Sequence, residues 1–299
     1  MIEAIWNVHR QSFKCESRNT RLIQTSITTM LSLYLIFLCL GCAGSTANSG
    51  ASNQVVNTTV NISGNWRLST GSSVFPGTST QIAGALTSSQ ADVAGIAHVS
   101  SSPCYASTTD VLFTGSLTGN TSAPVDSNIA LMTPAINNQI LSITGVISSQ
   151  GTQLSGVYTI TGGCGNGDKG AIGGLKITPL AGTFAGTVGP TIGPRFSTAA
   201  VLNQSSISDA HGIFHLTGSA TFTGLSCISS ATIANPLTDT SLSGTDFSIT
   251  FTSTANAASQ IKIYGLILDA GINRMLVTQY QIAGGACPQS NGGGTISLQ

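Results

Sequence analysis

Beyond residue 16 the sequence contains no glutamate, and charge of either sign is scarce throughout. Charged residues make up 7% of the 299 positions, against roughly a quarter in an average soluble protein. Four of the ten basic residues (Arg10, Lys14, Arg18, Arg21) and both glutamates (Glu3, Glu16) fall in the N-terminal region. From Cys42 onward, six Lys/Arg stand against eight Asp, a net charge of −2. No basic field exists to gather phosphates, which excludes nucleic acid as a partner.

The missing glutamates also narrow the chemistry. A His-Glu-x-x-His zinc site cannot occur after residue 16, and paired-carboxylate sugar hydrolysis would have to use aspartates alone. Those aspartates are spread thinly, mostly in turn-like contexts. No Gly-x-Ser-x-Gly elbow occurs. Gly165-Asn-Gly167-Asp-Lys-Gly170 spells Gly-x-Gly-x-x-Gly, but no helix opens after it and no βαβ unit surrounds it, so it reads as a tight turn. Asp168 and Asn166 could face a cation there, but one carboxylate is a thin ligand set. No metal and no cofactor is expected, and the chain reads as not an enzyme.

Long apolar runs are lacking too. The longest is Met30–Leu40, too short for a membrane span of about 20 residues and suited to a signal-peptide core. At its end stands Leu38-Cys39-Leu40-Gly41-Cys42, which resembles the lipobox of bacterial lipoprotein precursors. In that family a small residue precedes a cysteine that is acylated on sulfur and becomes the new N-terminus, the roles of Gly41 and Cys42 here. Cys39 departs from the pattern, which prefers leucine, and the basic region is unusually long. The resemblance covers this segment only. It implies a signal peptide over 1–41, a lipidated Cys42 with a small-residue tether over 42–59, and a membrane partner reached through the acyl chains. Ala43 in place of Asp implies sorting to the outer membrane, with the body facing the periplasm or the exterior. A plain secretory signal cut near Ala43 or Ala47 is the alternative.

What the chain has in abundance is Ile, Val, Thr, Ser and Gly in alternating order. Ile62, Trp66 and Leu68 share one strand face, as do Leu154, Tyr158 and Ile160, and turn residues such as Gly119-Asn120 and Asp269-Ala-Gly271 separate such runs. No stretch makes an amphipathic helix. The body is therefore expected to be all-β, with short antiparallel strands forming barrels or sandwiches.

The text of the body is written twice. Cys104 and Cys164 are 60 residues apart, and so are Cys227 and Cys287. Val157-Tyr158-Thr-Ile160-Thr-Gly162-Gly163-Cys164 is echoed by Gln279-Tyr280-Gln-Ile282-Ala-Gly284-Gly285-Ala-Cys287, an offset of about 120 residues. Two tandem modules are expected, over 60–177 and 178–299. In an oxidising compartment four cysteines permit three pairings, and the repeat symmetry selects Cys104–Cys164 with Cys227–Cys287. Free buried thiols are the alternative.

One polar constellation recurs. Asp92-Val-Ala-Gly95-Ile96-Ala-His98 is echoed by Asp209-Ala-His211-Gly212-Ile213-Phe-His215. Asp92 and Asp209 are expected at turns, with His98 and His215 on the following strands. An Asp–His hydrogen bond could orient an imidazole for acid–base work or for a ligand. The plainer reading, which we favour, has Asp closing the turn and His filling a half-buried position. His211 has no counterpart and reads as surface. Gly64-Asn65-Trp66 resembles the Gly-x-Trp of lipocalin- and avidin-like barrels, where the Trp plugs one end. It aligns with Gly182-Thr183-Phe184 in the second copy.

Three functions stand in order: a lipid-anchored, non-enzymatic binding or structural protein of the envelope, a lipocalin-like carrier of a small hydrophobic ligand, and an unrecognised hydrolase. A filled or hollow barrel separates the first two. A serine bonded to His98 or His215 would favour the third.

Overall fold

A computed structural model of the chain describes residues 60–106, 109–119, 126–189, 195–270, 273–285, 287 and 290–298. The expected signal peptide (1–41) and the expected lipidated Cys42 with its tether (42–59) lie outside the described residues. The first half forms eight strands: β1 (Gly64–Gly71), β2 (Ser79–Ser89), β3 (Asp92–Ser101), β4 (Asp110–Gly119), β5 (Ser127–Met132), β6 (Ile140–Ile147), β7 (Gln153–Thr161) and β8 (Lys169–Ile177). Each pairs antiparallel with the next, and β8 returns to β1, closing a barrel. The alternation read from the sequence decides which way the side chains face. On β7, Leu154, Tyr158 and Ile160 are buried inside, while Gln153, Ser155, Val157 and Thr159 face out.

The second half repeats this plan with one interruption. Its strands are β9 (Gly182–Gly189), β10 (Phe196–Gln204), β11 (Leu216–Thr223), β12 (Ser230–Thr232), β13 (Thr240–Ser243), β14 (Asp246–Ser253), β15 (Gln260–Ala270), β16 (Asn273–Ala283) and β17 (Ser290–Leu298). β12 and β13 both pair with β14, at opposite ends, and together make one broken stave opposite β11. An isolated bridge between Phe214 and Leu242 ties the lower half of that stave across. The break is the helical turn α1 (Pro236–Asp239), capped by the Asn235 side-chain oxygen Oδ1, which accepts from the Leu237 N–H at 3.3 Å. Pro236 has no N–H to offer a ladder, so the strand stops there. β17 pairs with β9, and the second barrel is also closed, with eight staves.

The cysteines pair as the repeat requires. Cys104–Cys164 joins the β3–β4 loop to the β7–β8 loop, and Cys227–Cys287 joins the β11–β12 loop to the β16–β17 loop, with Cα separations of 5.6 and 5.3 Å. Tyr158 faces Ile143 as Tyr280 faces Ile263, so the two copies of the Tyr-x-Ile strand hold equivalent positions.

An eight-stranded barrel is just wide enough for side chains to fill. Trp66, Leu68, Phe113, Leu117, Ile143 and Tyr158 pack the first interior. The second is packed by Phe184, Phe196, Phe222, Phe251 and Tyr280, with edge-to-face ring pairs at centroid distances of 5.1 to 6.3 Å. Trp66 and Phe184 start equivalent strands, and the Trp66 indole N–H donates to the Ile62 carbonyl at 2.7 Å.

The barrels touch along a tight seam. The side-chain amide of Asn65, buried on the outer face of β1, grips the backbone of Gly244. Its N–H donates to the Gly244 carbonyl at 2.8 Å, and its oxygen accepts from the Gly244 N–H at 2.7 Å. Gly244 sits at φ +55°, and a Cβ there would lie 2.8 Å from the Ala83 methyl. The 205–215 loop of the second barrel presses on β3, where a Cβ on Gly212 would come within 1.9 Å of the Ile96 carbonyl oxygen. Ala85 of the first barrel accordingly belongs to the second barrel's core.

Candidate functional site

The two Asp–His echoes do not occupy equivalent places. In the first barrel Trp66 faces Gly84, which faces Ala97; in the second, Phe184 faces Ala200, which faces Ala220. Ala97 therefore corresponds to Ala220, and the counterpart of His98 is Thr221, not His215. The cause is a difference in loop length. β2 and β3 are joined by the turn Gln90-Ala91, whereas β10 and β11 are joined by the loop over 205–215.

Asp92 opens β3 rather than standing in a turn, and His98 lies six residues along the same strand. At about 3.3 Å per residue they are about 20 Å apart. His98 faces Asp110 across the ladder, and its ring makes no hydrogen bond among the described residues.

Asp209 and His215 do meet. One carboxylate oxygen of Asp209 accepts from the His211 and Ile213 N–H groups at 2.8 and 2.9 Å, and the other lies 3.1 Å from His215 Nε2. His215 Nδ1 lies 3.0 Å from the Thr240 carbonyl oxygen. Both ring nitrogens thus face acceptors, and both contacts are hydrogen bonds at once only when the imidazole carries two protons. Ser205 stands nearby, but its hydroxyl accepts from the His215 backbone N–H at 3.0 Å and not from the ring. Neither ring nitrogen is bonded to a serine hydroxyl among the described residues, so the cluster does not show the serine–imidazole contact of a nucleophile relay.

Its work is architectural. Asp209 shapes the loop that carries Gly212 against the first barrel and delivers His211, on the surface, to Asp110 at 2.9 Å. That hydrogen bond, together with the Asp110 charge, holds the His211 imidazole above its usual pKa. Burial raises the Asp209 carboxyl, but the backbone N–H groups of Ile213 and His211 and the His215 ring outweigh it and leave the group below the ordinary carboxylate range.

A depressed carboxylate stabilises the fold above its unfolded pKa of about 4 and ceases to do so as pH falls through the folded value. Asp209→Asn should therefore cost about 1–3 kcal/mol at pH 7, and the gap to wild type should close on acidification below about pH 4. Urea unfolding at several pH values measures this, and a gap that stays constant with pH would assign the loss to something other than the charge.

Asp168, in the turn before β8, is buried and fully engaged. It accepts from the N–H groups of Ser73 and Val74 at 2.8 and 3.1 Å and from the hydroxyls of Ser72 and Ser73 at 3.0 and 3.1 Å. Burial raises its carboxyl and these donors lower it, with a net shift downward. They organise the β1–β2 loop and use the lone pairs a cation would need. No group of three or more His, Cys, Asp or Glu side chains is placed to hold a metal among the described residues. The Asn65 clamp was invisible in the sequence, because its partner lies 179 residues away.

No protein-family model matches the chain, and comparison with curated proteins and with solved structures gives no match. The fold itself defines the class: a tandem pair of closed, side-chain-filled antiparallel barrels, each with one disulfide.

Proposed function

We propose that the protein is a lipid-anchored, non-enzymatic element of a bacterial cell envelope that binds or scaffolds through the outside of its two barrels. The observation that carries this reading is the filling of both interiors. A carrier lumen would require Trp66, Phe113 and Tyr158, all buried, to vacate the first barrel. With the inside occupied, recognition falls to the outer faces and the groove between the barrels. The engaged ring of His215 supports a non-enzymatic role, and the two disulfides suit an oxidising compartment.

Membrane attachment rests on Gly41-Cys42 at the end of the apolar run. Acylation of Cys42 supplies the two or more chains that stable anchoring needs. Cys42→Ala should move the protein from the membrane to the soluble envelope fraction. In the wild type, mass spectrometry should find an acylated cysteine at the mature N-terminus. A free, unmodified N-terminus with unchanged detergent partitioning would remove the anchor from the proposal.

A further inference from the structure

The outer face of the second barrel carries a chemistry that the first barrel lacks. On β15 the side chains of Lys262, Tyr264 and Leu266 point outward. Across the ladders, Tyr264 faces Ser248 on β14 and Gln279 on β16, and Lys262 faces Gln281. These residues floor a groove of about 670 Å³ whose far wall is His98, contributed by the first barrel. The size falls within the ~300–1,000 Å³ of small-molecule sites, which favour domain boundaries.

The equivalent face of the first barrel follows from the matched Tyr158 and Tyr280 strands. Thr144 faces Val157 where Tyr264 faces Gln279, and Ser142 faces Thr159 where Lys262 faces Gln281. One copy has small, plain side chains, and the other an aromatic ring flanked by two amides and an ammonium.

Three further features mark the groove. Ser243 lies in its wall with a buried hydroxyl that has no hydrogen-bond partner among the described residues, an arrangement uncommon enough in native proteins to need a reason. The His98 ring, also in the wall, is unbonded among the described residues. The Lys262 ammonium sits 5.9 Å from the Tyr264 ring centroid, within cation–π range.

We infer that this inter-barrel groove is a binding site for a short, uncharged oligosaccharide. A sugar ring presents C–H faces and hydroxyl edges in alternation, and the floor matches that pattern. The partly exposed Tyr264 ring and the neighbouring Leu266 and Val277 take the apolar face. Gln279 and Gln281 each offer an amide donor and acceptor to vicinal hydroxyls. The His98 ring, in the wall, gains the partner it lacks among the described residues. One lysine and one aspartate, Lys262 and Asp246, line the groove, which balances its charge and suits a neutral ligand.

The inference rests on the exterior-binding reading but not on the anchor. The test titrates the full chain, purified in detergent, with cellotriose, N-acetylchitotriose and maltotriose by calorimetry. At least one should bind saturably. Tyr264→Ala should weaken that binding about tenfold or more, while Tyr264→Phe keeps the ring and most of the affinity. Thr144→Ala, at the matching place on the first barrel, should change nothing. Tyr264 faces outward, so an unchanged unfolding midpoint confirms that the variant is folded. No saturable binding to any of the three sugars, or binding indifferent to Tyr264→Ala, overturns the groove assignment. An anchored protein that binds none of them would leave the membrane reading standing, and a sugar-binding protein that is never acylated would do the reverse.

Discussion

Trp66→Ala should destabilise the first barrel by about 3–5 kcal/mol, the range for truncating a buried tryptophan. The side chain is 1% exposed, lies at the start of β1 and shares a core cluster with Ile62. Its indole N–H satisfies the Ile62 carbonyl, so removing the ring opens a cavity and leaves a buried acceptor unpaired. Gly174 packs closely beside it. A Cβ on Gly174 would lie 2.7 Å from Leu68 Cδ2 and 3.6 Å from Trp66 Cε3. Trp66→Phe should cost much less, since Phe184 holds the equivalent position in the second barrel. Denaturant unfolding followed by circular dichroism measures both variants. A loss under about 1 kcal/mol for the alanine variant would mean that the Trp is not part of a rigid core.

Breaking either disulfide should have an effect of similar size. Each bond closes a loop of 60 residues, worth about 4 kcal/mol in the chain-entropy account, and removal from natural domains costs about 2–5 kcal/mol. A Cys104→Ser, Cys164→Ser double variant should lose this amount yet keep its native fold. The reason is Gln139, buried beside the bond. Its amide donates to the Cys104 carbonyl at 3.4 Å, and its oxygen accepts from the Gly165 N–H at 2.8 Å, so it bridges the two cysteine loops without the sulfurs. Chemical denaturation with and without reductant gives the stabilities. Non-reducing peptide mapping should yield only the Cys104–Cys164 and Cys227–Cys287 peptides, and a cross-link between the barrels would overturn the domain picture.

The sequence made the β class legible through alternation that is local and repeated, as at Leu154, Tyr158 and Ile160. It made the disulfides legible because duplicated strands bring equivalent cysteines to equivalent places. It misled where text and geometry diverge. The Asp209–His215 echo of Asp92–His98 preserves spelling, but the longer β10–β11 loop shifts it out of register, and strand pairing obeys the ladder rather than the spelling. The broken stave at Pro236 was hidden for a different reason. Its halves are too short to show a period, and only their shared partner β14 reveals them as one strand. The Tyr264 groove could not be read at all, since a lone tyrosine on an exposed strand face becomes informative only beside Gln279, Ser248 and His98.

The seam between the barrels also limits how far this architecture can grow. It is a head-to-tail contact between unlike surfaces: the 205–215 loop lies against β2 and β3, and the Gly244 turn is held on β1 by Asn65. Modules carrying both parts could stack without end, as open heterologous contacts do. Here the first barrel joins β2 to β3 by the two residues Gln90-Ala91 and so lacks that loop, while the loop of the second already lies against its neighbour. An intermolecular chain built on this joint has no free loop with which to begin. Lengthening the Gln90-Ala91 turn toward the 205–215 sequence would give the first barrel one of the two parts of this joint.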